Sequence, residues 1–187
     1  MKKFELTNEF VTNMFGTKLF RIRALVEFGD VEAGELGGYV EKESNLGHDD
    51  NAWVYGDARV YDNALVYDNA RVYGDAQVSG DARVYDNARV YGDAWVYGNA
   101  LVCGDALVCG DARVCGNGDY AYAHGFGSVN RTTTFFRLKD GGVGVRCGCF
   151  YGTLAQFRDK IRETHGETKK AQEYLMLADL MKLRFEK

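Results

Sequence analysis

Alanine recurs every six residues at positions 52, 58, 64, 70, 76, 82, 88, 94, 100, 106 and 112, and a valine follows each two places later, from Val54 to Val114. The unit reads Asn/Asp-Ala-x-Val-x-Gly/Asp, eleven times without a gap. An α-helix repeats every 3.6 residues, so a six-residue period with an inward side chain at every second position belongs to a short strand and a corner. Each unit therefore presents a small and a larger apolar side chain to one interior. The Gly/Asp and Asn/Asp pair that follows suits a tight corner, where positive φ is needed. Such units cannot bury their apolar face singly, so they stack into a parallel β-solenoid.

The number of units per coil is written in the corners. If three hexads make one coil, residues 18 apart stack vertically. One corner column then reads Gly56-Asp57, Gly74-Asp75, Gly92-Asp93, Gly110-Asp111, and a second reads Asp50-Asn51, Asp68-Asn69, Asp86-Asn87, Gly104-Asp105. This predicts a three-sided coil repeated about four times over residues 52–117. Both ends of such a rod leave open strand edges that need covering. Residues 1–51 are read as one cap: 19–28 alternates like a strand, and 37–49 reads as an irregular first coil in which Val40 and Leu46 are already six apart. Residues 118–187 are read as a ββαα module. It has a hairpin of 132–138 and 143–149 around 139–142, and a helix opened by a Thr153/Gln156 capping box and closed at His165-Gly166. A second helix follows over 168–185, with Ala171, Tyr174, Leu175, Ala178, Met181 and Phe185 on one stripe.

The array resembles the hexapeptide-repeat, left-handed parallel β-helix superfamily, with Ala at the small inner position and Val at the aliphatic one. It departs from that pattern in placing Tyr, where a small residue is usual, directly after the valine. A second resemblance lies in Gly127-Ser128, 131–136, 147–150, Gly152-Thr153-Leu154, Phe157 and 163–166, together with 36–43 and Asn45-Leu46. These strings are similar to solenoid proteins of Gram-positive bacteria and their prophages. The resemblance implies a phage accessory role, for example sequestering a host nucleotide signal or blocking a host defence protein. The superfamily also contains acyltransferases, which use a histidine beside a slot built by a loop thrown out of the coil. Residues 52–117 have no such loop, and His48, His124 and His165 all lie outside the array. A non-enzymatic binding protein is therefore expected, with no cofactor, and with an acyltransferase or a structural spacer as the alternatives.

Charge sharpens the expectation. The net −4 is uneven: 118–187 carries 12 basic against 8 acidic side chains, and the rest of the chain is acidic. An anionic ligand would meet the C-terminal part. No basic stripe of the kind that holds nucleic acid is present. Five cysteines without a recognisable apolar leader favour free thiols in a cytoplasmic protein, and no apolar run is of membrane-spanning length.

Two candidate sites follow. The stretch His124, Gly125, Gly127, Ser128, Asn130, Arg131, Thr132 and Thr133 combines flexible backbone with hydroxyls, an amide and a guanidinium. That set suits a phosphate or carboxylate, with a packing linker as the alternative. Along the rod, Trp53, Tyr55, Arg71, Tyr73, Arg89, Tyr91, Trp95 and Tyr97 form outward ladders. Stacking along the ladder accounts for part of this pattern. The same residues are enriched at interfaces, which favours self-association, first as a trimer, or a partner protein. The Asp57, Asp75, Asp93 and Asp111 column is expected to accept hydrogen bonds from corner amides, with a bound cation as the sharper alternative. Cys147 and Cys149 are read as sharing one strand face, too few ligands for zinc.

Overall fold

The structure, a computed structural model, describes residues 2–127 and 129–186. Each hexad forms one two-residue rung, from β4 (Trp53–Val54) to β14 (Arg113–Val114). Rungs 18 residues apart pair in parallel: Arg71 with Trp53 and Arg89, Gln77 with Arg59 and Trp95, Arg83 with Leu65 and Leu101. Three hexads thus complete a coil, and the array is a hexapeptide-repeat β-solenoid of about four turns. The repeat alanines and valines, Ala52 to Val114, are all 0 % exposed.

The corners use two devices. From Ala58 onward, the residue two places before each alanine takes positive φ. It is glycine throughout one column (Gly74 at 70°, Gly92 at 67°), while the other two columns begin with aspartate at Asp62, Asp68 and Asp86 (57–59°) and pass to glycine at Gly80, Gly98 and Gly104. A Cβ added to Gly74 would lie 3.0 Å from the Gly92 nitrogen, so that column stacks backbone on backbone. Where aspartate stands, its carboxylate reaches the amide one coil on. Asp50 Oδ2 accepts from Asp68 N (2.6 Å), Asp68 Oδ2 from Asp86 N (3.3 Å), Asp86 Oδ2 from Gly104 N (3.0 Å) and Asp62 Oδ2 from Gly80 N (3.1 Å). The expectation had placed these bonds on Asp57, Asp75, Asp93 and Asp111, and here it is corrected. The side chain that reaches the next corner amide belongs to the residue two places before the alanine. In that column the position is glycine, and the aspartate sits one place later, exposed.

Asp86 therefore carries both a strained backbone and the bond that offsets it. Asp86→Ala is expected to cost about 1–3 kcal/mol, from the lost bond and a methyl-bearing residue at positive φ. Asp86→Gly should cost less, because it loses the same bond but removes the strain. Urea unfolding of the pair separates the two contributions.

A parallel rod is polar along its axis. Here each rung's N–H points to the C-terminal end, as in Arg89 N to Ala106 O at 2.9 Å and Trp95 N to Ala112 O at 2.9 Å. The first coil is thus left with open carbonyls and the last with open amides, and the two caps match this difference. At the carbonyl end, Lys3 Nζ donates to Asp50 O (2.8 Å) and Ala52 O (2.9 Å), and Asn45 Nδ2 donates to Asp62 O (3.1 Å) and Ala64 O (2.9 Å). At the amide end the partners are side-chain oxygens: Asn117 Oδ1 for Leu101 N (2.8 Å), Thr134 Oγ1 for Leu107 N (2.9 Å) and Asp119 Oδ2 for Cys115 N (3.0 Å).

The N-terminal cap is a hairpin of β1 (Phe4–Thr12) and β2 (Lys18–Ala24), followed by β3 (Leu36–Val40), which pairs antiparallel with β2 and parallel with the Arg59–Val60 rung. Leu46 bridges to Val66, so 37–49 is the irregular first coil. This cap corrects the placing of Trp53 on an outer face. Trp53 is 0 % exposed, with Phe28 (5.3 Å) and Phe4 (6.2 Å) packed edge-on against its ring. It stands in the lowest regular rung, the layer that the cap covers.

The expected hairpin and both helices are present at the other end. They belong to a four-stranded antiparallel sheet in the order β15 (Tyr120–Phe126), β16 (Arg131–Arg137), β17 (Val143–Cys147), β18 (Phe150–Thr153). Helices α1 (Leu154–His165) and α2 (Lys169–Phe185) cover one face, where Phe135, Val145, Phe157, Ile161, Tyr174 and Met181 form a core. The Thr153/Gln156 capping box is formed, and Gly166 closes α1 at φ 55°. Cys147 lies opposite Phe150, with Gly148 at φ 58° and Cys149 in the turn between them. Cys147 therefore ends a strand and Cys149 lies in the reversal that follows, so they share no strand face, which corrects that reading: Cys147 is half-buried and Cys149 exposed.

Candidate functional site

Strand alternation on β16 decides which residues of the predicted site can meet a ligand. Thr134 and Phe136 point to the rod, while Thr133 and Phe135 point to the helices. Thr133 is 0 % exposed and its hydroxyl lies 3.2 Å from Cys147 Sγ, so it is withdrawn from the site, a correction that the alternation imposes. Residues 124–126 and 131–133 are the paired ends of β15 and β16, where the sequence reads as a single loop. Gly125 sits at φ 86° where the β15–β16 register shifts, and Gly127 leaves room for the Tyr174 ring while donating its N–H to Glu173 Oε2 at 3.1 Å. Both glycines thus have a role in the fold. Ser128 lies outside the described residues.

The remaining predicted residues converge. His124, Asn130, Arg131 and Thr132 line a cleft of about 390 Å³, whose opposite wall is the rod: Arg89 and Leu107 from stacked rungs, Asn87 and Asp105 from a corner. His124 Nδ1 lies 2.9 Å from Thr132 Oγ1 and 3.8 Å from Asp105 Oδ2. Arg131 crosses the β17–β18 turn over Gly148, where an added Cβ would collide with its Nη1. Arg131 also borders a second, largely apolar cavity of about 240 Å³ that reaches the same turn at Cys147 and Cys149. Two guanidinium groups, an imidazole, two amides and a hydroxyl thus line one cleft with a single carboxylate. This is a donor-rich set suited to an oxyanion.

Arg89 and Leu107 are 18 residues apart, so their adjacency follows from the repeat. That the hairpin end would lean over this face is not legible in either segment alone. It follows from how the module docks: Lys139 N donates to Asp111 O (3.0 Å), Ala112 bridges to Leu138, and the Tyr122 and Tyr151 phenols lie where Gly104 and Gly110 lack side chains. Cys103 and Cys109 stand in the tyrosine columns of the last coil, with Cys103 Sγ 3.8 Å from Tyr120 Oη and Cys109 buried. Small residues are required there because the module packs onto them, whereas Cys115, on the third side, is exposed.

The outward ladders are largely engaged within the chain. Tyr73 and Tyr91 stack at 4.8 Å, as do Tyr67 and Tyr85 at 5.1 Å. Tyr55 donates to Asp30 (3.1 Å), which also pairs with Arg71 (2.7 Å), and Arg113 lies over the Trp95 ring at 4.8 Å. Burial pushes the Tyr55 phenol up to about 12, and a hydrogen bond with the Cys103 thiol, with burial, pushes Tyr85 up to about 12, so both are neutral at physiological pH. Among the described residues no three His, Cys, Asp or Glu side chains are gathered closely enough to hold a metal ion, and no helix is long and apolar enough to cross a membrane.

The repeat matches the family model described as YdcK Beta solenoid repeat in five overlapping stretches, 52–67, 58–74, 64–80, 76–92 and 82–98, stepped by whole hexads. No curated protein matches the chain.

Proposed function

We propose that the chain is a non-enzymatic binding protein in which the solenoid is a rigid support and the cleft between rod and hairpin end holds a small anion, phosphate or carboxylate. One observation carries this reading: Arg89 from the rod and His124, Asn130, Arg131 and Thr132 from the module face a single cleft. A solenoid contributes little flexibility, so a cleft built against it is pre-organised and its donors lose little entropy on binding. The resemblance to prophage solenoids agrees with a sequestering role, in which a phage-encoded cytoplasmic protein withdraws an anionic or nucleotide signal from its host. Self-association, first as a trimer, would use the less covered faces around Trp95 and Tyr97, and light scattering giving a clean monomer would remove it from the proposal.

Arg131→Ala is expected to weaken binding of inorganic phosphate at least tenfold, the scale of one lost charge-assisted hydrogen bond, with the melting temperature nearly unchanged. Arg89→Ala should act in the same direction although it lies in a different part of the chain. Isothermal titration of both variants decides the matter. Unchanged phosphate affinity in both would remove the cleft as the site, and unfolding of the module in Arg131→Ala would assign that side chain to structure.

A further inference from the structure

The cavity on the other side of Arg131 belongs to no part of the anion cleft. It opens between the β17–β18 turn and the two helices, encloses about 240 Å³, and is walled by Phe150, Phe157, Ile161 and Tyr174. Its mouth carries Lys160, Thr164 and His165 beside Arg131. Apolar cavities of about 150 Å³ already accommodate a benzene ring, so this one has room for a larger planar group. Its walls offer ring faces and aliphatic edge, and its rim is basic. An uncharged lipid chain would gain nothing from that rim, and a bare phosphate would gain nothing from those walls.

We propose that the ligand of this protein is an anion carrying a flat apolar ring, with its charged group in the cleft against the rod and its ring in the cavity under the helices. The proposal rests on the anion-binding reading above and adds a second subsite to it. Arg131 joins the two: it borders both volumes, and the absent side chain at Gly148 lets its guanidinium lie over the turn that both volumes reach, the cavity at Cys147 and Cys149 and the cleft at Gly148. A planar guanidinium serves both neighbours, since it donates in its plane to an oxyanion and stacks by its face on a ring. Aromatic phosphates and aromatic carboxylates share this chemistry.

The test uses the full chain and three phosphate monoesters, methyl, phenyl and 1-naphthyl phosphate, with benzoate and 1-naphthoate as the carboxylate arm. Affinity by titration calorimetry should rise about tenfold or more from methyl to phenyl phosphate, and again to naphthyl, as apolar surface is buried. The carboxylate arm should show the same rise from one ring to two, and the arm with the tighter pair identifies the charged group. Thr164 is exposed at the mouth, so Thr164→Trp should block the cavity without disturbing the core, abolishing the ring's gain while methyl phosphate binds as before. Equal affinity for all three phosphates overturns the ring subsite and leaves the anion cleft standing. A gain that survives Thr164→Trp places the ring elsewhere and equally overturns it. Absence of binding by every phosphate and carboxylate at millimolar concentration overturns the anion cleft itself, and the ring subsite with it.

Discussion

Trp53→Ala should destabilise the protein by about 3–5 kcal/mol, the range for removing a fully buried aromatic side chain from a core that cannot collapse around the void. Trp53 is among the largest side chains with no exposure, and it joins the lowest regular rung to the cap through Phe4 and Phe28. In a solenoid each coil contacts only its neighbours, so the loss falls on one junction. Hydrogen exchange should therefore quicken in 4–54 and in the rungs directly above, while the C-terminal sheet keeps its protection. Trp53→Phe should be far milder. The indole Nε1 is buried without a hydrogen-bond partner, so the smaller ring leaves a void but also removes an unsatisfied donor. Urea unfolding followed by the fluorescence of the remaining Trp95 reads both variants, and equal destabilisation by Ala and Phe would refute the packing account.

Trp53 also marks where sequence reading reaches its limit. The coil of three hexads, the inward alanines and valines, the irregular first coil and the helix caps are all set by short-range chemistry, and they are legible because period and corner residues repeat. A repeat predicts its own interior well and its ends poorly. Trp53 occupies the position that is outward in every other unit, and nothing within its hexad says that Phe4 and Phe28 of the cap will cover it. Thr133 repeats the lesson at the other end. Its hydroxyl reads as a ligand group until strand β16 is known to begin at Arg131, after which alternation turns it inward. Strands β15 and β18 were obscured for a different reason. Tyr120–Phe126 is rich in Ala and Gly, and Phe150–Thr153 runs straight into a capping box whose helix signal dominates. The cleft was half legible: its module side was read from residue types, whereas its rod side depends on docking between segments whose residues carry no shared pattern.

The second large effect is expected at Lys3, which was not singled out by any motif. Its ammonium is buried, 3 % exposed, between the carbonyls of Asp50 and Ala52, with the Asp50 carboxylate at 3.5 Å and the Phe28 ring at 4.6 Å. The position follows from the direction of the rod. Because every rung points its amides toward the C-terminal end, the first coil ends in carbonyls, and only a donor can close it. Lys3→Met keeps the length and apolar stem but leaves two buried carbonyls without a donor, at a cost of about 2–5 kcal/mol. Lys3→Glu should be worse, since it presents an acceptor to acceptors. The sign of the pH dependence provides an independent check. Burial lowers the Lys3 pKa from 10.5 against the opposing pull of Asp50. Between the lowered value and 10.5 the unfolded chain holds more protons than the folded one, so stability from this group rises with pH across that window. The gap between wild type and Lys3→Met should therefore widen with rising pH in the alkaline range below 10.5, provided the neutral amine still donates to the carbonyls. A gap that stays constant would mean that the ammonium is solvated and that the carbonyl end of the rod is closed by something other than Lys3.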